Sequence, residues 1–141
     1  KKEVSASSAS SKNAPISHGV GRRKSAVARV WVKRGTGVLK VNGLLHTEYF
    51  DTDISRAKAV LPFAVCKESA GLDVDVNVCG GGKNAQADAA ALGFSRAMVS
   101  LYDTVKPVLK EHGLLTVDSR VKERKKYGQR GARRKFQFVK R

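Results

Sequence analysis

The chain of 141 residues carries 28 Lys and Arg against 12 Asp and Glu, a net charge of +16 with a pI near 10.3. Such an excess points to a polyanionic partner, and the length suits one domain that would bury roughly 65% of its unfolded surface. No apolar run approaches the roughly 18 residues a membrane span needs, and Cys66, Cys79, His18, His46 and His112 show no ligand spacing, so neither a membrane partner nor a metal or cofactor is expected.

The charge is unevenly placed. Residues 1–24 hold six bases and one acid, residues 120–141 hold eleven and one, and residues 25–119 hold eleven and ten. Three parts follow: an arm at 1–18, a globular domain at 19–119 that is nearly neutral from residue 25 onward, and a basic tail at 120–141. The arm, within "KKEVSASSASSKNAPISHGV", is rich in Ser and Lys with almost no large apolar residue, so it is expected to be disordered or extended. It lacks the apolar stretch of a secretory signal. Its Ser-rich, acid-poor composition fits what remains of an organellar transit peptide in a processed chain.

In the domain, Ala26, Ala28, Val30 and Val32 alternate with Val27, Arg29 and Trp31, which predicts a strand. Arg29 and Trp31 then share the outward face, although a tryptophan here also suits a core. "RGTG" at 34–37 predicts a hairpin turn into a partner strand, "VLKVNG" at 38–43, that ends in an Asn-Gly turn. Ser55 is placed to cap a short helix through Leu61, which Pro62 should stop. "LDVDVNVCGGG" is the most regular strand, with Leu72, Val74, Val76 and Val78 on one face. "NAQADAAALGFSRAMVSLYD" follows with a helical stripe, and its many alanines predict close approach to the sheet. Asp103 can cap a last helix of about nine residues that carries Pro107 in its first turns and ends at Gly113. "LLTVD" at 114–118 should be a final strand. The class is α/β (α+β): a two-layer sandwich with helices on one face of a mixed four-stranded sheet, plus a long extended basic C-terminal tail.

The "GGGK" at 80–83 sits between a strand and a helix, as a phosphate loop would. A nucleotide loop of that kind needs Gly six residues before the Lys and Ser or Thr directly after it, but Asn77 and Asn84 stand there. Gly80, Gly81 and Gly82 therefore read as a tight structural turn with positive φ angles, either alone or with Lys83 and the helix N-terminus meeting a nucleic-acid phosphate. Asp73 and Asp75 have no His or Cys beside them that would make an acid–base pair. No enzyme and no small-molecule substrate is expected.

Arg22, Arg23 and Lys24 precede the first strand, and Arg29 lies along it. A charge run is often only a solvated face, but three adjacent cations beside a neutral core suit a phosphate-contact patch. In the tail, from Arg120 onward, Gly128 and Gly131 interrupt any helix. Its cations can neutralise phosphates while Tyr127, Phe136 and Phe138 stack on bases, so the segment should order on its partner. RNA is favoured over DNA because no base-reading motif is evident.

These residues resemble the universal small-subunit ribosomal protein nine family, of bacterial or organellar type, over about 19–141. "GRRKSAVARV" looks like its opening motif, "VNG" with "EYF" like its second, and "GGGKNAQADAAALGFSRAM" like its glycine-and-small-residue signature. "GLLTVDSRVKERKKYGQRGARRKFQFVKR" is similar to its ending, although "TVD" stands where "TRD" is frequent. The resemblance implies a domain with a left-handed βαβ crossover, like the second domain of small-subunit ribosomal protein five. It further implies a place in the head of the small subunit, bound to small-subunit rRNA and beside neighbouring head proteins. Arg124, Lys125, Lys126, Arg130, Arg133, Arg134 and Lys135 would line the rRNA path, and Lys140 and Arg141 would reach the peptidyl-site tRNA. The arm favours a mitochondrial ribosome over a bacterial or plastid one. From a different class, a free-standing single-strand nucleic-acid chaperone would use the same cations and aromatics.

Overall fold

The computed structural model describes residues 14–140. Most of the N-terminal arm and Arg141 lie outside them. The mixed α/β class holds, and the sheet has five strands, not four. The strands are β1 (Ser17–Arg23), β2 (Ala26–Arg34), β3 (Leu39–Val41), β4 (Leu44–Leu45) and β5 (Leu72–Cys79). The helices are α1 (His46–Tyr49), α2 (Asp53–Val65), α3 (Lys83–Leu101) and α4 (Lys106–Glu111). The order across the sheet is β1-β2-β5-β3-β4; β3 and β5 are parallel and the other neighbours antiparallel.

The sheet has one buried face. Ala26, Ala28, Val30 and Val32 of β2 join Leu72, Val74, Val76 and Val78 of β5 and Leu39 and Val41 of β3 in the core, as the alternation requires. Helix α3 lies beneath this face and is buried along nearly its whole length from Ala85 to Met98. Phe63 of α2 stacks on its Phe94 at 4.3 Å.

Strand β1 is the element without a pattern in the sequence, because "GVG" supplies proximity instead of apolar bulk. A Cβ on Gly21 would overlap the Ala89 carbonyl oxygen and stand 2.6 Å from the Gly93 nitrogen, and one on Gly19 would overlap the Gly93 carbonyl oxygen. Strand and helix therefore meet backbone to backbone along Ala89, Gly93 and Ala97. Ser17 Oγ donates to the Ala97 carbonyl at 2.9 Å, and Arg96 Nη1 donates to the Val20 carbonyl at 2.7 Å.

Three expectations change. The hairpin at 34–37 does not form, because β5 inserts between β2 and β3. The Asp73 carboxylate accepts from the N–H groups of Thr36, Gly37 and Val38 at 2.8–3.0 Å and holds that turn beside β5. The hairpin that does open the domain is β1–β2, turning at Lys24–Ser25. Helix α2 starts at a Thr52 cap and runs through Pro62 to Val65. Pro62 is fully buried, and the packing of Phe63 and Cys66 holds the extra turn that the proline disfavours. Finally, "LLTVD" is not a strand. Gly113, at φ +69, closes α4, Leu114 and Leu115 pack partly buried against the core, and the carbonyl of Asp118 is taken by the Arg23 guanidinium instead of a neighbouring strand.

Candidate nucleic-acid interface

The β1–β2 hairpin carries the first cationic group. Arg22 and Lys24 are exposed, with Lys24 in the left-handed region at φ +53. Arg29 is exposed on the open face, in register with Val20 and Asn77. Trp31 lies on the same face and is half-buried against His18 at 5.5 Å, so it is not a core residue.

Lys83 sits at the N-terminus of α3. Gly80 and Gly81 hold positive φ, whereas Gly82 is extended and serves as the helix N-cap, so two of the three glycines need the left-handed conformation. A Cβ on Gly80 would approach the Ser25 carbonyl oxygen to 2.5 Å. That contact brings the hairpin tip to the helix start, where Lys24, Asp51, Thr52, Gly82, Lys83 and Asn84 line a cleft of about 310 Å³. The first helical hydrogen bond is from Gln86 N to Gly82 O, so the N–H groups of Lys83, Asn84 and Ala85 have no acceptor within the helix. Lys83 Nζ donates to the Tyr49 carbonyl at 2.7 Å and lies 3.6 Å from that ring's centre. Its charge is thus held at the cleft by the protein.

Arg23 points the other way. Its side chain is only 13% exposed; Nη2 is 2.8 Å from Asp118 Oδ2 and Nε is 3.7 Å from Asp88 Oδ2. Nη1 donates to the carbonyls of Asp118 (3.2 Å) and Arg120 (2.6 Å). Arg120 folds back onto the same Asp118, with Nη2 donating to Oδ2 at 2.7 Å. The hydrogen bonds from Arg120, aided by the charges of Arg120 and Arg23, hold the Asp118 carboxyl far below the usual carboxylate range. In return, Asp118 raises the pKa of Arg120. Arg22, Arg23, Lys58, Asp88, Asp118 and Arg120 together line a second cleft of about 310 Å³ at the base of the tail.

Beyond Ser119 the described residues form no helix or strand. Glu123, the one acid in 120–141, bridges Lys126 at 3.0 Å and Arg133 at 2.9 Å. The Arg130 amide donates to the Arg134 carbonyl at 2.9 Å, and the Arg130 guanidinium lies 5.3 Å from the centre of the Phe136 ring. Residues 123–136 thereby close into a loop whose turn includes Gly128 at φ +62. Arg124, Lys125, Arg134, Lys135 and Lys140 are exposed. Tyr127 is 92% exposed and Phe138 89%, so the tail presents two large rings at its surface.

Basic cleft, buried small-residue helix and aromatic-bearing cationic tail coincide with a known family pattern: the model of the family described as ribosomal protein S9/S16 matches residues 21–141. The chain belongs to this family. Ribosomal protein S9 chains are structural components and not catalysts. Among relatives named small ribosomal subunit protein uS9, that of Solidesulfovibrio magneticus is 51% identical over 124 residues, 88% of this chain and 95% of its own. The Chlorobium limicola protein is 46% identical over 122 residues, covering 86% and 95%. The Flavobacterium psychrophilum protein is 45% identical over 124 residues, covering 88% and 97%.

Within this S9 chain, sequence reasoning passed over Asp118, Asp88 and Lys58, the residues that fix the base of the tail. Asp118 left one readable sign. An Asp two residues before Arg120 is placed to accept that residue's amide, and Oδ1 does so at 3.0 Å.

Proposed function

We propose that this chain is a structural constituent of the small ribosomal subunit, binding small-subunit rRNA in the head and touching the peptidyl-site tRNA through the end of its tail. The observation that carries this reading is the division of charge. Within the domain, acids such as Asp75 and Asp88 take up Lys33 and Lys58, whereas the tail sets ten more bases than acids around exposed aromatic rings. Such a surface is satisfied by a polyanion that also offers flat bases for stacking.

Arg22, Lys24, Arg29 and Lys83 supply the domain's phosphate contacts. Arg124, Lys125, Lys126, Arg130, Arg133, Arg134 and Lys135 follow the rRNA backbone, with Tyr127, Phe136 and Phe138 as anchors. Lys140, and Arg141 beyond the described residues, meet the tRNA. Arg23 and Arg120 act from behind, bound to protein groups. Neighbouring head proteins complete the surroundings. We place the ribosome in the mitochondrial matrix on the composition of the Ser-rich arm, which precedes the family match.

Titration of a small-subunit rRNA transcript at varied salt tests the core of this reading. With about ten phosphates neutralised, log affinity should fall against log salt with a slope of roughly −7 to −9. A slope near −2 would remove the tail as a binding unit. Deleting Lys140 and Arg141 should weaken tRNA retention in the peptidyl site while subunit incorporation stays intact; lost incorporation would make the tip an assembly element. A free-standing chaperone would be found away from sedimenting small subunits, and a bacterial or plastid ribosome would show in fractionated cells.

A further inference from the structure

Surface ion pairs contribute little, because water screens them and two flexible side chains must be held together. Arg23 is of another kind. Its side chain is 13% exposed, and its guanidinium is fixed from several directions: Asp88 of α3 on one side, and on the other the Asp118 carboxylate with the carbonyls of Asp118 and Arg120. Asp88 is itself held by Lys58 of α2 at 3.0 Å. The network thus runs from two helices through the hairpin strand to the point where the chain leaves the domain. Charge-assisted bonds to backbone carbonyls fix the path of the chain itself, not merely a side chain upon it.

We propose that Arg23 is a positioning residue for the tail: anchored on Asp88, it grips the chain at Asp118 and Arg120 and sets the direction in which the RNA-binding limb departs. Leverage makes that direction matter. Twenty residues span at most about 66–72 Å when extended, so a swing of about 20° at the base would move a fully extended tip by roughly 25 Å, and by less where residues 123–136 close into a loop. A limb that already points along its binding path loses less orientational freedom on binding. The inference rests on the rRNA-binding reading for its consequence, but not for its geometry.

The test uses the full chain. Spin labels on exposed Cys79 and on Val121→Cys report the distance from the sheet to the base of the tail, without RNA. The wild type should give one narrow distribution, and Asp118→Asn and Arg23→Gln should each broaden it. Because replacing Arg23 also strips Asp88 of a partner, Asp118→Asn is the decisive variant. In rRNA-transcript binding, Asp118→Asn should weaken affinity roughly three- to tenfold, the scale of reordering a few side chains and a short segment. Charge alone demands the opposite, since the variant is more positive by one. The double variant should be no weaker than the weaker single, apart from the loss of one charge. An unchanged distance distribution in Asp118→Asn, or tighter rRNA binding by it, overturns the proposal. If the wild type fails to bind rRNA while the distances behave as stated, the functional reading fails and the lock stands.

Discussion

The domain and the tail use the same cations in opposite ways. In the domain, Lys33, Lys58 and Arg23 each face an acid within 4 Å, and close packing is achieved by removing side chains, as at Gly19, Gly21 and Gly93. In the tail, one Glu serves eleven bases, and Tyr127 and Phe138 stand in solvent. The domain buries an apolar core and pairs several of its cations within itself. On the proposed rRNA-binding reading, a limb that leaves them unbalanced keeps its favourable interactions for that partner and orders further upon it.

The largest effect that would sharpen this contrast comes from Gly21→Leu. Its Cβ would overlap the Ala89 carbonyl in a contact between two backbones, where neither side can yield, so we expect a loss of roughly 3 kcal/mol or more, enough to unfold a marginal domain. Circular dichroism melting checks it, and a change below 0.5 kcal/mol would mean that strand and helix are not in contact. A smaller, directional effect is expected from Glu123→Gln. Removing the tail's only acid should strengthen rRNA binding if charge alone governs, yet the loop pinned by Lys126 and Arg133 would open, and we expect roughly two- to threefold weaker binding with unchanged melting. Stronger binding would erase the idea that the tail is partly shaped in advance.

The smallest effect lies in Asp73. The Val38 amide foremost, then those of Thr36 and Gly37 with the charge of Lys40, lower its pKa below the ordinary 3.8, against an opposing push from burial. A carboxyl lowered on folding adds stability above its unfolded pKa, and that contribution fades as pH falls through the folded value. Near pH 7 the stabilities of wild type and Asp73→Asn should therefore change with pH at the same slope, and wild type alone should lose this contribution as pH falls below about 4. Carboxyl carbon shifts that titrate at or above 3.8 would contradict the turn's hydrogen bonds.

Periodic elements were legible and contact-defined ones were not. Val74, Val76 and Val78 announce β5 by alternation, and the alanines of α3 announce a helix pressed against a sheet. β1 escapes because Gly19 and Gly21 matter for what they leave out, which no period records. The missing hairpin between β2 and β3 has the same origin: Asp73, 35 residues beyond Val38, decides the turn's neighbour. In the interface, exposed cations and rings are visible as composition. That Arg23 turns inward while Arg22 and Lys24 turn outward depends on Asp88 and Asp118, which only the fold brings beside it.

The backbone contact between β1 and α3 also sets a schedule. Ser17 and the Ala97 carbonyl it bonds are 80 residues apart. At about 5–20 residues per second of synthesis, roughly 4–16 s separate their appearance. For that interval the glycine face of the hairpin waits uncovered by α3. Arg23 waits longer still, since Arg120 lies 97 residues away. Completion of the domain and aiming of the limb thus become one late event in the life of a newly made chain, and a chain whose limb already points the right way is one whose sheet has closed.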